Sequence, residues 1–194
     1  MNASTDMITQ QLAGTAISMI SSKIGADTGT TSKAVAIALP LLISALARNS
    51  SSPTGAEALN QAVARDHDGS ILDNLNGFLG NSESANGAGI IGHVLGDQRS
   101  SVENGLAQST GLDPGAAGML LETVAPLVMG ALGKTQQAQG LDATGLSNFL
   151  GNQNQEALAS SPDVMGILGN LLDSNKDGSV MDDVGRLAGK FFGR

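Results

Sequence analysis

Residues 25–48 read GADTGTTSKAVAIALPLLISALAR and residues 111–134 read GLDPGAAGMLLETVAPLVMGALGK, and the two align without a gap. Gly25/Gly111, Asp27/Asp113, Gly29/Gly115, Pro40/Pro126, Leu41/Leu127, Ala45/Ala131 and Leu46/Leu132 are identical, and Arg48/Lys134 keep the charge. Apolar residues recur here at helical spacing. An interior proline removes one backbone hydrogen bond, so each copy is expected to kink. A chain that uses such a rod twice is constrained to pack like against like, and the pattern predicts an all-α multihelical bundle with an internal duplication of a proline-kinked apolar helix.

The rest of the chain agrees with this fold class. Period-2 alternation is nearly absent. Met7–Ile24 carries Ile8, Leu12, Ile17, Ile20 and Ile24 on one stripe and ends at Gly25, a good C-terminal glycine. Further helices are expected over about Thr31–Arg48, Gly55–Ala64, Ser70–Leu79, Ile90–Leu95, Val102–Leu106, Gly115–Leu132, Leu146–Leu150, Pro162–Leu172 and Val180–Phe192. Asp113-Pro114 is a helix start, with Asp as N-cap and Pro at the first helical position. The small, polar stretch Asn81–Gly89 reads as the joint between two halves, about 7–81 and 90–152, and residues 162–194 form a C-terminal helical segment of one domain over 1–194. The tetrapeptide FLGN at Phe78–Asn81 recurs at Phe149–Asn152.

Composition narrows the function classes. With 26 Gly, four Phe and no Trp or Tyr, the core must be built of small and aliphatic side chains. A net charge of −8 argues against nucleic acid, whose phosphates need Lys and Arg, and against docking on anionic lipid. The absence of Cys removes thiolate and Cys-zinc chemistry. The first residues carry no basic stretch followed by an apolar one, and the longest apolar run, Ala34–Ala47, is shorter than the ~20 residues of a bilayer span. A cytoplasmic protein without a membrane span is the expectation.

One loop has the residue types for an ion. In Asp173-Ser-Asn175-Lys-Asp177-Gly178-Ser179-Val180-Met181-Asp182-Asp183-Val184, oxygen side chains stand at loop positions 1, 3 and 5, with glycine at 6, as in the front half of an EF-hand calcium loop. Asp173, Asn175 and Asp177 would be ligands, with the Ser179 carbonyl next. Val184 stands where a bidentate Glu belongs, so Asp182 or Asp183 would close the shell. The competing reading needs no ion: Ser179 and Asp182 resemble a capping box, and acids belong in the first turn of a helix. Residues Asp66–Leu75 repeat the pattern of Asn175–Val184, with Ala64 in the slot of Asp173.

Other motifs are weaker. Gly87-Ala-Gly89-Ile-Ile-Gly92 fits GxGxxG, but a dinucleotide site needs a strand before it, and NSESAN precedes it. His67 and His93, the two histidines, have no Asp or Ser at catalytic spacing. In the last helix Val180, Val184, Leu187 and Phe191 form an apolar stripe, with Met181, Ala188 and Phe192 beside it; it either packs on the bundle or meets a partner.

Together, the runs HDGSILDNLNGFLGN, GIIGHVLGDQ, AAGMLLETVAPLVMGALGK and DGSVMDDVGRLAGKFF resemble the YidB-like family, bacterial domain of unknown function 937, over nearly the whole chain. The resemblance implies a multihelical all-α fold and brings no activity or catalytic residues. The functional expectation is a non-enzymatic structural or interaction protein that self-associates or binds another protein through small-residue helical faces. A calcium-binding module and an enzyme of unrecognised class are the alternatives.

Overall fold

A computed structural model describes residues 14–81 and 85–160, together with Ile167. The helices are α1 (Thr15–Ile24), α2 (Thr28–Asn49), α3 (Pro53–Asp66), α4 (Ser70–Asp73), α5 (Leu75–Gly80), α6 (Gly87–Leu95), α7 (Arg99–Thr110), α8 (Pro114–Gln139) and α9 (Ala143–Ser160), with a 3₁₀ turn at Gly96–Gln98 between α6 and α7. There is no strand among the described residues. The chain is all-α.

The punctuation between helices is written in local chemistry. Gly25 takes a left-handed conformation (φ 70°) and its N–H bonds the Ser21 carbonyl, which stops α1. Two residues on, the Asp27 carboxylate accepts from the Thr30 N–H at 2.9 Å and starts α2. This cap places the start of α2 at Thr28, three residues before the expected Thr31. The same order recurs before α8: Gly111 is left-handed (φ 83°), and Asp113 accepts from the N–H groups of Gly115 (2.8 Å) and Ala116 (3.0 Å). The expected helix over Ser70–Leu79 is broken at Asn74, whose side chain caps Gly77 and begins α5. The expected helix Gly115–Leu132 is longer at its C-terminal end: α8 runs on to Gln139, where Thr135 and Gln136 are buried and the Gln136 amide bonds Asn60 of α3 at 2.5 Å. The two FLGN segments are not structural equivalents. One ends α5, and the other lies inside α9.

Helices α2 and α8 pack on each other at the centre, and every other long helix packs on one or both. Their buried faces combine Leu39, Leu41, Leu42 and Leu46 with Leu120, Leu121, Val124 and Leu127. Each such side chain, fully removed from water, contributes about 1.5–3 kcal/mol. Ala34, Ala38, Ala117, Ala125 and Ala131 fill the remaining contacts and are buried as well. The small-residue faces expected to bind a partner are thus used inside the fold. Both helices are long and apolar enough to cross a bilayer by length and composition alone, contrary to the shorter span read from the apolar run, while 72% and 83% of their most apolar windows are buried in the bundle.

Pro40 and Pro126 both lie in the core, inside continuous helices. Pro126 has no N–H to give the Glu122 carbonyl one turn back. The first residue of α6 sits over that carbonyl: a Cβ on Gly87 would come within 1.9 Å of the Glu122 oxygen. The neighbourhood is tied together by Arg99, whose guanidinium donates to Glu103 (2.7 Å) and Glu122 (2.5 Å), joining the start of α7 to α8. On the opposite side α9 lies along α2, with Ser44 bonded to Asn154 at 2.5 Å and Ser147 to the Ser50 carbonyl at 2.7 Å.

Candidate functional site

The loop with calcium-ligand spacing, comprising Asp173, Asn175, Asp177, Ser179, Asp182 and Asp183, lies outside the described residues, as does the last apolar stripe. Its partial copy at Asp66–Leu75 lies inside them. There the shared residues do structural work. Asp68 accepts from the Ser70 N–H at 2.9 Å in the turn that leads into α4. Hydrogen bonding from Ser70, hydroxyl first and backbone second, holds the Asp68 carboxyl below the usual carboxylate range. Asp73 is paired with Lys134 of α8. Gly69 is left-handed (φ 91°) and fits against Gly130 and the Lys134 stem, while the Gln137 amide bonds the Asp68 carbonyl at 3.1 Å. The turn lies on α8 so closely that a Cβ on Gly133 would be 1.8 Å from the His67 carbonyl oxygen. Among the described residues no three His, Asp or Glu side chains are grouped to hold a metal ion.

The GxGxxG run is helical from its first glycine. Asn86 precedes it in a left-handed conformation (φ 50°), Gly87 meets α8, and a Cβ on Gly89 would collide with the Asn86 side chain. Gly87 serves close packing at the start of α6 while Gly92 faces open space, and no described strand leads into the run.

That packing creates the most notable surface feature. α3 and α6 stand apart over the end of α2, leaving an open groove of about 510 Å³. One wall presents Ala58, Leu59 and Ala62 of α3, the other Ile90, His93 and Val94 of α6, with Leu46 and Met129 at the base. Leu59, Ala62 and Ile90 are only partly buried. The far wall is fixed to the frame, because the Asn49 side-chain amide donates to the Val94 carbonyl at 2.9 Å. At one end the groove opens toward a smaller cavity of about 350 Å³ lined by Asp66, Asp68 and Ser70, with His67, Asn86 and Ile90 common to both.

The fold therefore brings His67 and His93 to one groove, although they lie on separate elements. Burial pushes the His67 imidazole below its ordinary value, opposed by the nearby Asp66 charge. No catalytic partner at hydrogen-bond distance accompanies either ring among the described side-chain contacts. The linear sequence could not have revealed this groove, since its walls come from two short helices whose separation depends on how Gly87 and Gly133 seat their neighbours on α8.

A family model described as bacterial protein of unknown function (DUF937) matches residues 6–136. No curated protein and no solved structure matches the chain.

Proposed function

The chain belongs to a bacterial family of unknown function, and for it we propose a non-enzymatic role in protein interaction, with the groove between α3 and α6 as the binding surface for an apolar helix. The observation that carries this reading is the groove itself. Among the described residues it is a mainly apolar channel walled by two helices, with Asn49, His67, Asn86 and His93 also in its lining, and Met119 is the one large hydrophobic side chain that is freely exposed elsewhere. Amphipathic helices bind such channels through residues spaced three or four apart, and the small side chains of Ala58 and Ala62 let a third helix come close. The central helices bury most of their apolar faces inside the bundle, which supports a water-soluble fold.

The test is Ala62→Trp, which fills the channel from the partly buried face of α3, above Leu46 and Met129 at its base. The variant is expected to melt within a few degrees of the parent and to lose a protein that co-isolates with the parent chain from its bacterial host. Equal recovery of the same protein by both chains would refute the proposal.

A further inference from the structure

We infer that the helix this groove receives carries a lysine or arginine three or four residues beyond its apolar anchors, and that this cation docks on Asp66 and Asp68 at the groove's end. The inference rests on the groove being a helix-binding surface and says which helices fit it.

The register comes from α3. Its wall presents Gly55, Ala58, Leu59 and Ala62, two helical turns or about 10 Å. A helix laid along those turns meets them with residues spaced three or four apart. Asp66 follows Ala62 by four residues and so continues the same face of α3, its Cβ about 6 Å further on. There the groove opens into the smaller cavity, where Asp66, Asp68 and Ser70 take the place of the small apolar wall. One turn past its last anchor, the incoming helix therefore meets two carboxylates.

The sign of the charge comes from what the lining lacks. Among the described lining residues of both cavities there is no Lys or Arg. Asp66 and Asp68 are both exposed. Asp66 makes no side-chain hydrogen bond or ion pair with another described residue, and its charge is felt by His67. Hydrogen bonds from Ser70 favour the ionised form of Asp68 and cancel none of its charge. Lys134, whose stem lies against Gly69, is already paired with Asp73. Two helix ends also meet here, the C-terminus of α3 and the N-terminus of α6. Their partial charges, about −0.5 and +0.5, oppose each other, so the carboxylates decide the sign. Ile71 and Ile90 complete the cavity wall. A Lys or Arg suits such a place, because its methylene stem lies along apolar side chains while its head reaches exposed carboxylates. An acidic residue at the same point would be repelled.

The probe is a displayed library of amphipathic helical peptides, randomised at the positions three and four residues outside the apolar stripe at both ends. It is selected on the full chain, and groove-dependent binders are those that Ala62→Trp loses. These are expected to carry Lys or Arg at one of the randomised positions more often than the unselected library. Asp66→Asn is expected to weaken each such peptide about threefold, the size of one exposed ion pair, and to reduce the salt dependence of its binding. Asp66→Asn/Asp68→Asn keeps an oxygen for the Ser70 N–H and is expected to weaken it about tenfold. Replacing the peptide's cation by Gln, which leaves the protein untouched, is expected to remove the difference between parent and variants. Groove-dependent peptides with no enrichment in Lys or Arg, or ones that bind the parent and the double variant equally, would overturn this inference and leave the groove a helix-binding surface. The absence of any groove-dependent peptide would overturn both readings.

Discussion

Gly133→Ala separates a glycine that is merely tolerated in α8 from one that the fold requires. In an unobstructed helix interior this substitution stabilises by about 0.5–1 kcal/mol, because glycine loses more backbone entropy on folding. Here the added Cβ would stand 1.8 Å from the His67 carbonyl oxygen, 2.9 Å from its carbon and 3.2 Å from the Asp68 carbon, all of them backbone atoms. Carbon and carbonyl oxygen approach to roughly 3.3 Å, so the turn at His67–Gly69 must lift by about 1.5 Å. Lifting it also stretches the Asp73–Lys134 pair and the Gln137 bond to Asp68. Overpacking of this kind costs about 1–3 kcal/mol, which after the helix-propensity gain leaves a net loss of about 1–2 kcal/mol. For a chain of this size that is a fall of about 2–8 °C in melting temperature. Far-UV circular dichroism during heating reads it, since the chain has no Trp or Tyr for fluorescence. Gly151→Ala on α9, where the new Cβ meets nothing within 4 Å, is the matched control and is expected to raise the melting temperature slightly. A Gly133→Ala chain as stable as that control would refute the seating of the turn on α8.

Three further outcomes follow from the same structure. Asp113→Ala, which removes the cap of α8, is expected to cost about 1 kcal/mol in urea unfolding, whereas Asp113→Asn keeps an accepting oxygen and costs less. Burial lowers the folded-state pKa of His67, so the unfolded chain binds the extra proton first; stability is therefore fully present above the unfolded value near 6.5 and is lost as pH falls through the folded value, and a melting series from pH 7.5 to 5 should show a decline that His67→Gln flattens. Two of the three carboxylates of the Asp66–Leu75 copy, Asp68 and Asp73, are held in a hydrogen bond and an ion pair, and calcium at millimolar concentration is expected to leave the melting temperature of the full chain unchanged; saturable heat that Asp177→Ala abolishes would instead make 173–183 an ion site.

Much of the architecture was legible in the residues because its signals are local. Helical periodicity, the glycine at 25 and the Asp-Pro pair at 113–114 each act within one turn of chain, and they mark elements where the structure has them. Boundaries shifted where a partner from elsewhere decides them. Gln136 looks like a linker residue until Asn60 is beside it, and Asn74 looks like mid-helix until its side chain turns to cap Gly77. The role of Gly133 was invisible for the same reason, since nothing in its neighbours announces a carbonyl from residue 67. The groove was the least legible feature. It is a space between α3 and α6, defined by what Leu46 and Met129 leave uncovered, and no run of sequence encodes it. The motif that seemed richest in chemistry pointed to residues 173–183, while its described copy turned out to be a seat for one helix upon another.

The reading of this protein as a binding module stands or falls at the groove. A photo-reactive benzoylphenylalanine placed at Leu59 on the wall, with the same residue at Gln155 on α9 for comparison, would report contacts formed in the living bacterium. One discrete protein adduct from position 59 that is missing from position 155 is the result expected; no adduct from 59, or the same adducts from both positions, would contradict it.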